Sequence, residues 1–181
     1  MPDTATGVLR DEHQLILGVV EVLDRQLADP NASLSLGVID RCITFFRLFA
    51  DACHHGKEED LLFPELIEHG MPGDAGPIAV MLSEHVQGRL YVRGMADAMQ
   101  GVKSGNEEAL SALRANAEDY INLIRAHIDK ENHILFMIAD DMVVGDACRA
   151  LCGRYDATYG RRFEGNTKDD LERIAADLMA F

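Results

Sequence analysis

The feature that most constrains the fold is a pair of segments that occurs twice along the chain. HHGKEEDLLF at 54–63 returns 73 residues later as HIDKENHILF at 127–136, with the His, the Glu four residues on and the Leu-Phe pair in register. Upstream, an EH pair at 12–13 returns 72 residues later at 84–85. The two histidines are 41 residues apart in the first half and 42 in the second. This spacing predicts a helix pair that occurs twice, with one His on the first helix and His-x-x-x-Glu on the second.

Helical periodicity of apolar residues covers nearly the whole chain, and strand-like alternation is rare. Pro30-Asn31 is expected to end the first helix, and Asn106 followed by two acids is typical of an N-cap. Four long helices joined by short loops predict an all-α fold, an up-down-up-down four-helix bundle. The predicted helices span approximately 8–29, 36–68, 78–102 and 106–139.

The residues after Asp140 continue the helical pattern more weakly. Thr167-Lys-Asp-Asp170 resembles a helix cap, so we expect one or two additional C-terminal helices. The predicted organisation is a bundle domain over 1–140 and a helical extension over 141–181 that packs on it. A stripe of larger side chains marks the first part of this extension: Cys148, Leu151, Cys152, Tyr155 and Tyr159.

Charge and composition exclude several classes of function. The chain has 31 acidic and 17 basic residues in 181, a net charge of −14, which repels phosphate backbones and anionic lipid and attracts cations. We therefore expect neither a nucleic-acid partner nor a membrane partner. No segment resembles a signal peptide or a membrane span, and four cysteines are too few and too unevenly placed for a disulfide framework. The expected location is cytoplasmic.

The repeated residues suit a pair of metal ions. Positions i and i+4 share a helix face, so each His-x-x-x-Glu pair can point at one centre. Four imidazoles and two carboxylates favour Fe or Mn over structural zinc. Two carboxylates buried without such cations would be costly. The candidate ligands are His13, His54, Glu58, His85, His127 and Glu131.

The series EH…HHGKEEDLLFP…MLSEHVQGR…HIDKENHILF resembles the hemerythrin-like, HHE cation-binding proteins over residues 8 to 140. This resemblance implies a four-helix bundle that holds two non-haem iron ions, joined by an oxo or hydroxo bridge, with the six residues above as ligands. Animal hemerythrins place two histidines one turn apart on the third helix. Here the positions one turn from His85 are Met81 and Arg89, so that ligand is missing.

His55 is extra to the repeat, because its counterpart in the second half is Ile128. It is well placed to replace the missing ligand. We therefore predict that His13 and His54 bind one iron, that His55, His85 and His127 bind the other, and that Glu58 and Glu131 bridge them. The alternative is that His55 only donates a hydrogen bond to a ligand.

The resemblance implies a di-iron protein of hemerythrin type that binds O2 or NO, or senses oxygen or iron. The ligand would be a small diatomic molecule or peroxide, and nothing in the sequence identifies a protein partner. One alternative is an enzyme that uses the same metals to act on peroxide or to reduce NO. Iron storage or delivery is another.

Several other residues have two interpretations. Tyr120 lies two turns before His127. Its hydroxyl would reach the ligand region, or its ring would pack in the core. Arg89 would pair with an acid near the centre or extend to solvent. We expect His69 and His133 to be exposed, and the cysteine pair at 148 and 152 to serve packing.

Overall fold

The computed structural model describes residues 4–29, 33–158 and 161–180. Within these ranges the protein is helical and contains no strand, apart from one isolated antiparallel bridge between Phe163 and Asn166. The prediction of an all-α fold is confirmed for this part of the chain. Pro30 and Asn31, expected to end the first helix, and Tyr159, expected on the C-terminal stripe, lie outside the described residues.

Eight α-helices and three π-helical segments make up these ranges. The α-helices are α1 (Gly7–Leu27), α2 (Leu36–Phe45), α3 (Phe63–Glu68), α4 (Gly76–Lys103), α5 (Glu107–Lys130), α6 (Phe136–Met142), α7 (Gly145–Ala157) and α8 (Lys168–Met179). The π-helical segments are Phe46–His55, Glu58–Leu62 and Glu131–Leu135.

The π-helical segments join α2 to α3 and α5 to α6 without a loop. The predicted helix over 36–68 has the correct extent, and the one predicted over 106–139 continues to Met142. Their π-helical character was not predicted. Each of the two glutamates of the repeat, Glu58 and Glu131, is the first residue of a π segment. Insertions of this kind are frequent at functional sites, because they re-aim side chains along a helix. Pro64, expected to loosen the end of the second helix, lies in the first turn of α3, directly after a π segment.

Two predicted caps are confirmed. The side chain of Asn106 accepts a hydrogen bond from the Ala109 amide at 3.1 Å and starts α5. Thr167 and Asp170 form a reciprocal capping box at the start of α8. Both caps satisfy amides that the first turn of a helix leaves without an intrahelical partner.

Helices α4 and α5 form a close antiparallel pair. Gly88 of α4 lies beside Tyr120 of α5, and Gly101 lies beside Ala109. A Cβ atom at Gly101 would be only 2.6 Å from the Ala109 Cβ. Only glycine permits this approach next to the turn that connects the two helices.

Side-chain contacts give the direction of α1. Arg10, near its start, donates to the Asn132 carbonyl at 2.9 Å, whereas Arg125 of α5 pairs with Glu21 further along α1. Helix α1 is therefore antiparallel to α5. It is also antiparallel to the helix that contains α2, because Glu12 contacts His54 while Gln26 contacts Ser35.

The buried apolar residues form two clusters, at different levels along the helices. One contains Ile16, Phe49 and Ile124, and helix α8 contributes Leu171 to it. The other contains Phe136, and helix α7 contributes Tyr155. Both C-terminal helices therefore complete the core. Among the described residues no helix combines the length and apolarity needed to cross a membrane.

Candidate metal centre

The seven residues predicted as ligands lie together between the two apolar clusters, and all are buried. They form two groups in which the potential ligand atoms are within 4.8 Å of one another. Glu58 belongs to both groups, so the groups adjoin. The first consists of His13, His54, Glu58 and Glu131, and the second of His55, Glu58, His85 and His127.

The polar atoms of these residues lack hydrogen bonds. Among the described residues, twelve buried side-chain nitrogen and oxygen atoms have no hydrogen-bond partner, and ten of them belong to these seven side chains. The other two are the Tyr155 hydroxyl and Glu12 Oε1, and the latter forms ion pairs. An unsatisfied buried polar group costs about 1–3 kcal/mol. Ten such atoms at one place indicate a binding site whose ligand would satisfy them.

Each carboxylate of the repeat contacts histidines from both halves of the chain. Glu58 lies 3.5 Å from His54 Nε2 and 3.4 Å from His85 Nε2. Glu131 lies 3.1 Å from His13 Nε2 and 3.3 Å from His127 Nε2. These approaches are not hydrogen bonds, although the potential ligand atoms of each group lie within 4.8 Å of one another. A carboxylate placed in this way can bridge two cations.

The Glu of each EH pair supports a histidine on the neighbouring helix. Glu12 Oε2 accepts a hydrogen bond from His54 Nδ1 at 2.9 Å. Glu84 Oε2 accepts the equivalent bond from His127 Nδ1 at 3.0 Å. Because Nδ1 carries the proton in each ring, Nε2 is left as the free lone pair. Metal-binding histidines are typically held in this way.

The residue after each Glu of the repeat supports a histidine of the other half. Asn132 Oδ1 lies 2.9 Å from His13 Nδ1, and Glu59 Oε1 lies 2.7 Å from His85 Nδ1. The pattern of supports therefore has the same twofold relationship as the repeat. It differs in one respect, since an amide supports His13 where a carboxylate supports His85.

A lysine also recurs at equal spacing. Lys57 Nζ lies 3.0 Å from Glu12 Oε1, and Lys130 pairs with Glu84 in the second half. Glu12, in the first half, has one further cationic partner. This is Lys168 of α8, whose Nζ lies 3.1 Å from Glu12 Oε1. Burial by itself would raise the pKa of Glu12, but the His54 hydrogen bond and the two ammonium groups outweigh it and lower the pKa to about 2.

These supporting residues were not predicted from the sequence, although a signal for most of them exists. The Glu before each histidine, the Lys before each repeated Glu and the polar residue after it all recur in both halves at matching offsets. Lys168 has no such signal, because the tail does not repeat. It reaches the site only through the packing of α8.

His55 has no counterpart in the repeat, and its surroundings differ from those of the other four histidines. Its ring stacks on His85 with centroids 3.8 Å apart, and its Nδ1 lies 3.5 Å from Asp51, too far for a good hydrogen bond. Burial, together with the charges of His85 and His127, lowers the pKa of His55 well below its usual value. The imidazole is therefore neutral, as a metal ligand must be. Its role as a ligand stays a prediction.

The two glutamates of the centre have opposite pKa shifts without metal. Burial raises the pKa of Glu131, and the charge of Glu58 raises it further. Burial also opposes ionisation of Glu58, but the neighbouring imidazoles of His54 and His85 lower its pKa. Burial disfavours the charged form of His85, yet Glu58 and Glu59 raise its pKa to about 9. At neutral pH the metal-free site therefore holds protons on Glu131 and His85.

Metal binding should release these protons, because a coordinating imidazole or carboxylate must be deprotonated. We expect the apparent affinity for Fe(II), titrated without oxygen, to rise between about pH 6 and about pH 8, roughly tenfold per pH unit for each proton displaced. The rise should level off only as the pH passes the pKa of about 9 at His85. Calorimetric titrations in buffers of different ionisation enthalpy would count the protons. An affinity that does not change with pH would contradict the protonation states described above.

Arg89 and Tyr120, which each had two interpretations from the sequence, have defined contacts in the structure. Arg89 pairs with Asp51 and with Glu59, the support of His85, at 2.7 Å in each case. Tyr120 is buried against Phe46, with ring centroids 4.7 Å apart. The first outcome confirms the acid-pairing interpretation of Arg89. Tyr120 packs in the core as one interpretation predicted, and it also lines a cavity that reaches His127.

The other two histidines and the cysteines do not belong to either group of potential ligands. His69 and His133 are exposed, as predicted. Cys53 is buried and accepts a hydrogen bond from Lys57 Nζ at 3.2 Å. Cys148 and Cys152 of α7 are partly buried free thiols.

A helical fold that gathers buried histidines and carboxylates between its helices is typical of helical cation-binding domains, and this donor set is compatible with metal binding. The chain belongs to the hemerythrin family: the hemerythrin HHE cation binding domain matches residues 4–139. The match includes all seven residues of the two groups.

Three mycobacterial proteins are similar along nearly the whole chain. They are the uncharacterized protein Mb2018 of Mycobacterium bovis and the uncharacterized proteins MT2051 and Rv1995 of Mycobacterium tuberculosis. Each is 22% identical over 180 residues, which cover 97% of this chain and 69% of the relative. The similarity therefore extends through the C-terminal helices.

Proposed function

We propose that this chain is a non-haem di-iron protein of hemerythrin type, which binds O2 or NO or senses oxygen or iron. The observation that carries the proposal is the set of ten buried polar atoms without hydrogen bonds on seven side chains. His13 and His54 would bind one iron, and His55, His85 and His127 the other. Glu58 and Glu131 would bridge them.

The chemistry of the donors supports iron. Imidazole nitrogens with carboxylate oxygens suit iron and manganese, whereas structural zinc sites use thiolates more often. When bound, the iron pair would supply electrons and an open coordination position for a small ligand. The chain supplies fixed Nδ1 partners for every proposed ligand imidazole except that of His55, and these partners orient the rings and leave Nε2 free. The antiparallel contacts of α1, α4 and α5 support the up-down-up-down arrangement of four helices that would carry these residues.

The composition supports a small partner rather than a polymer. The net charge of −14 disfavours nucleic acid and anionic membranes. A diatomic molecule or peroxide would need only the open position at one iron.

Replacing either bridging carboxylate should disturb both irons. We expect Glu58→Ala and Glu131→Ala each to reduce bound iron from two per chain to less than one and to remove the spectrum of a coupled diferric pair, because each residue contacts histidines of both halves. Iron analysis with an optical spectrum, before and after exposure to air, measures both effects.

Glu68→Ala is the matched control, since Glu68 is exposed at the end of α3. It should keep both irons and an unaltered spectrum. If either bridge variant retained one iron with an ordinary mononuclear spectrum, the bridging role would be wrong. Wild-type protein that takes up no iron at all would contradict the di-iron proposal itself.

An enzyme that acts on peroxide or NO is the second candidate. A cavity reaches His55, His85 and His127 from the surface, so exchange of ligand at one iron is sterically open. Consumption of peroxide or NO by the iron-loaded protein, compared with the same concentration of free iron, tests this function. A rate no greater than that of free iron would exclude it.

A further inference from the structure

A cavity of about 520 Å³ extends from the predicted centre along the helices. It lies between the helix of α2 with its π segment, α4 and α5. His55, His85 and His127 form its inner end, whereas His13 and His54 do not line it. Only one of the two predicted metal positions therefore faces this space.

The cavity is far larger than a diatomic ligand requires. A cavity of about 10–15 Å³ already holds one water. Pockets of about 300–1,000 Å³ are typical of sites for organic molecules. The size therefore favours an organic ligand.

Away from the histidines, the buried lining of the cavity is apolar. Phe46, Val92, Tyr120 and Ile124 line it, and all four are buried. A ligand segment beside these side chains would gain from leaving water, so this part of the occupant should be a hydrocarbon chain or ring.

Gly88 leaves an open space in the wall of the cavity, although the packing of α4 against α5 does not require a glycine there. A Cβ atom there would make ordinary contacts at 3.6 Å with Leu123 and 3.7 Å with Tyr120. Glycine inside a helix costs about 1 kcal/mol relative to alanine. Because the neighbouring helix would tolerate a side chain at this position, the missing side chain serves the volume of the cavity.

The outer part of the cavity carries an arginine with no acidic partner. Arg93 lies eight residues from His85 on α4, about 12 Å along the helix. Two other arginines of the lining are already paired, Arg47 with Glu164 and Arg89 with Asp51 and Glu59. No acid in residues 4–29, 33–158 or 161–180 forms an ion pair with Arg93.

We propose that this cavity binds an amphipathic organic carboxylate, whose apolar chain lies along Phe46 and Ile124 and whose carboxylate pairs with Arg93. Its other end reaches the position faced by His55, His85 and His127. Asp40 also lines the cavity, and along its helix it lies beyond the level of Arg47. Its negative charge repels the carboxylate of the ligand and so keeps that carboxylate at the arginines. The metal position at the inner end rests on the proposed function, but the binding of the carboxylate by the chain does not.

Decanoate and decan-1-ol are suitable probes, because they share a chain and differ in charge. We expect calorimetric titration of the iron-loaded protein to show one decanoate site per chain, and weaker binding of decan-1-ol. Arg93→Gln should weaken decanoate about tenfold, the effect of losing one hydrogen-bonded charge pair, and leave decan-1-ol unchanged. Arg25→Gln, an equal change at an exposed position on α1 outside the cavity, should alter neither.

Two variants that fill the cavity test its location. Gly88→Leu at the wall and Ala96→Trp at the outer end should each abolish binding of both probes, with the helical circular dichroism retained. Decanoate binding that survives both variants would overturn the proposal, as would an equal affinity for decanoate in wild type and Arg93→Gln.

Iron counted in the same samples separates this proposal from the di-iron function. Two irons per chain without decanoate binding would overturn the carboxylate site alone. Decanoate binding by a chain that takes up no iron would support the carboxylate site and contradict the di-iron proposal.

Discussion

Protein stripped of iron should melt about 10 °C or more below the iron-loaded protein. A ligand present at a thousand times its Kd stabilises the folded state by about 4 kcal/mol. In a chain of this size 1 kcal/mol corresponds to about 2–4 °C. The ten polar atoms without hydrogen bonds would regain partners only through the metals. Calorimetry on samples with verified iron content measures the difference.

Glu131→Gln sharpens this test, because its effect should depend on the metal. In iron-free protein Glu131 is already neutral, since burial and Glu58 raise its pKa, and glutamine should change the melting temperature little. In iron-loaded protein the same change would remove a carboxylate that we propose as a bridge, and it should lower the melting temperature by several degrees. Glu118→Gln on the exposed side of α5 is the control. Equal melting temperatures with and without iron in the wild type would show that the seven residues do not share bound metal.

His54→Ala should lose both irons, whereas His55→Ala should keep one. His54 belongs to the first group, contacts the shared Glu58 and is fixed by Glu12, so its loss leaves a cavity and an unsupported bridge. His55 belongs only to the second group and has no hydrogen bond that fixes its ring. Iron analysis and the optical spectrum of each variant decide between these outcomes.

His133→Ala controls for the loss of an imidazole. His133 lies two residues after Glu131, but it is exposed, and its ring contacts Asp129. It should retain both irons. If His55→Ala also retained both irons with an unchanged spectrum, His55 would not be a ligand.

The repeat made the helical fold and the convergence of six of the seven residues predictable, all except His55. Spacing of four residues fixes His54 with Glu58, and His127 with Glu131, on shared helix faces whatever the rest of the chain does. The caps at Asn106 and Thr167 were predictable for the same reason, since a cap depends on residues within one turn.

The remainder depends on contacts between distant segments. The π segments at Glu58 and Glu131 reflect where tertiary packing needs the side chains, and local propensity carries no sign of them. Lys168 reaches Glu12 only because α8 packs beside α1. The cavity depends on three helices together, and only Gly88 marks it in the sequence.

The ion pair between Lys168 and Glu12 has a consequence for biosynthesis. Synthesis on the ribosome delivers α8 after all seven predicted ligands, so a nascent chain can assemble both groups before this lysine arrives. Glu12 would then hold His54 with the ammonium group of Lys57 beside it, and the second ammonium group, that of Lys168, would arrive only with α8. We expect the affinity of the first group for iron, which depends on His54 and its support Glu12, to change when α8 docks and Lys168 pairs with Glu12.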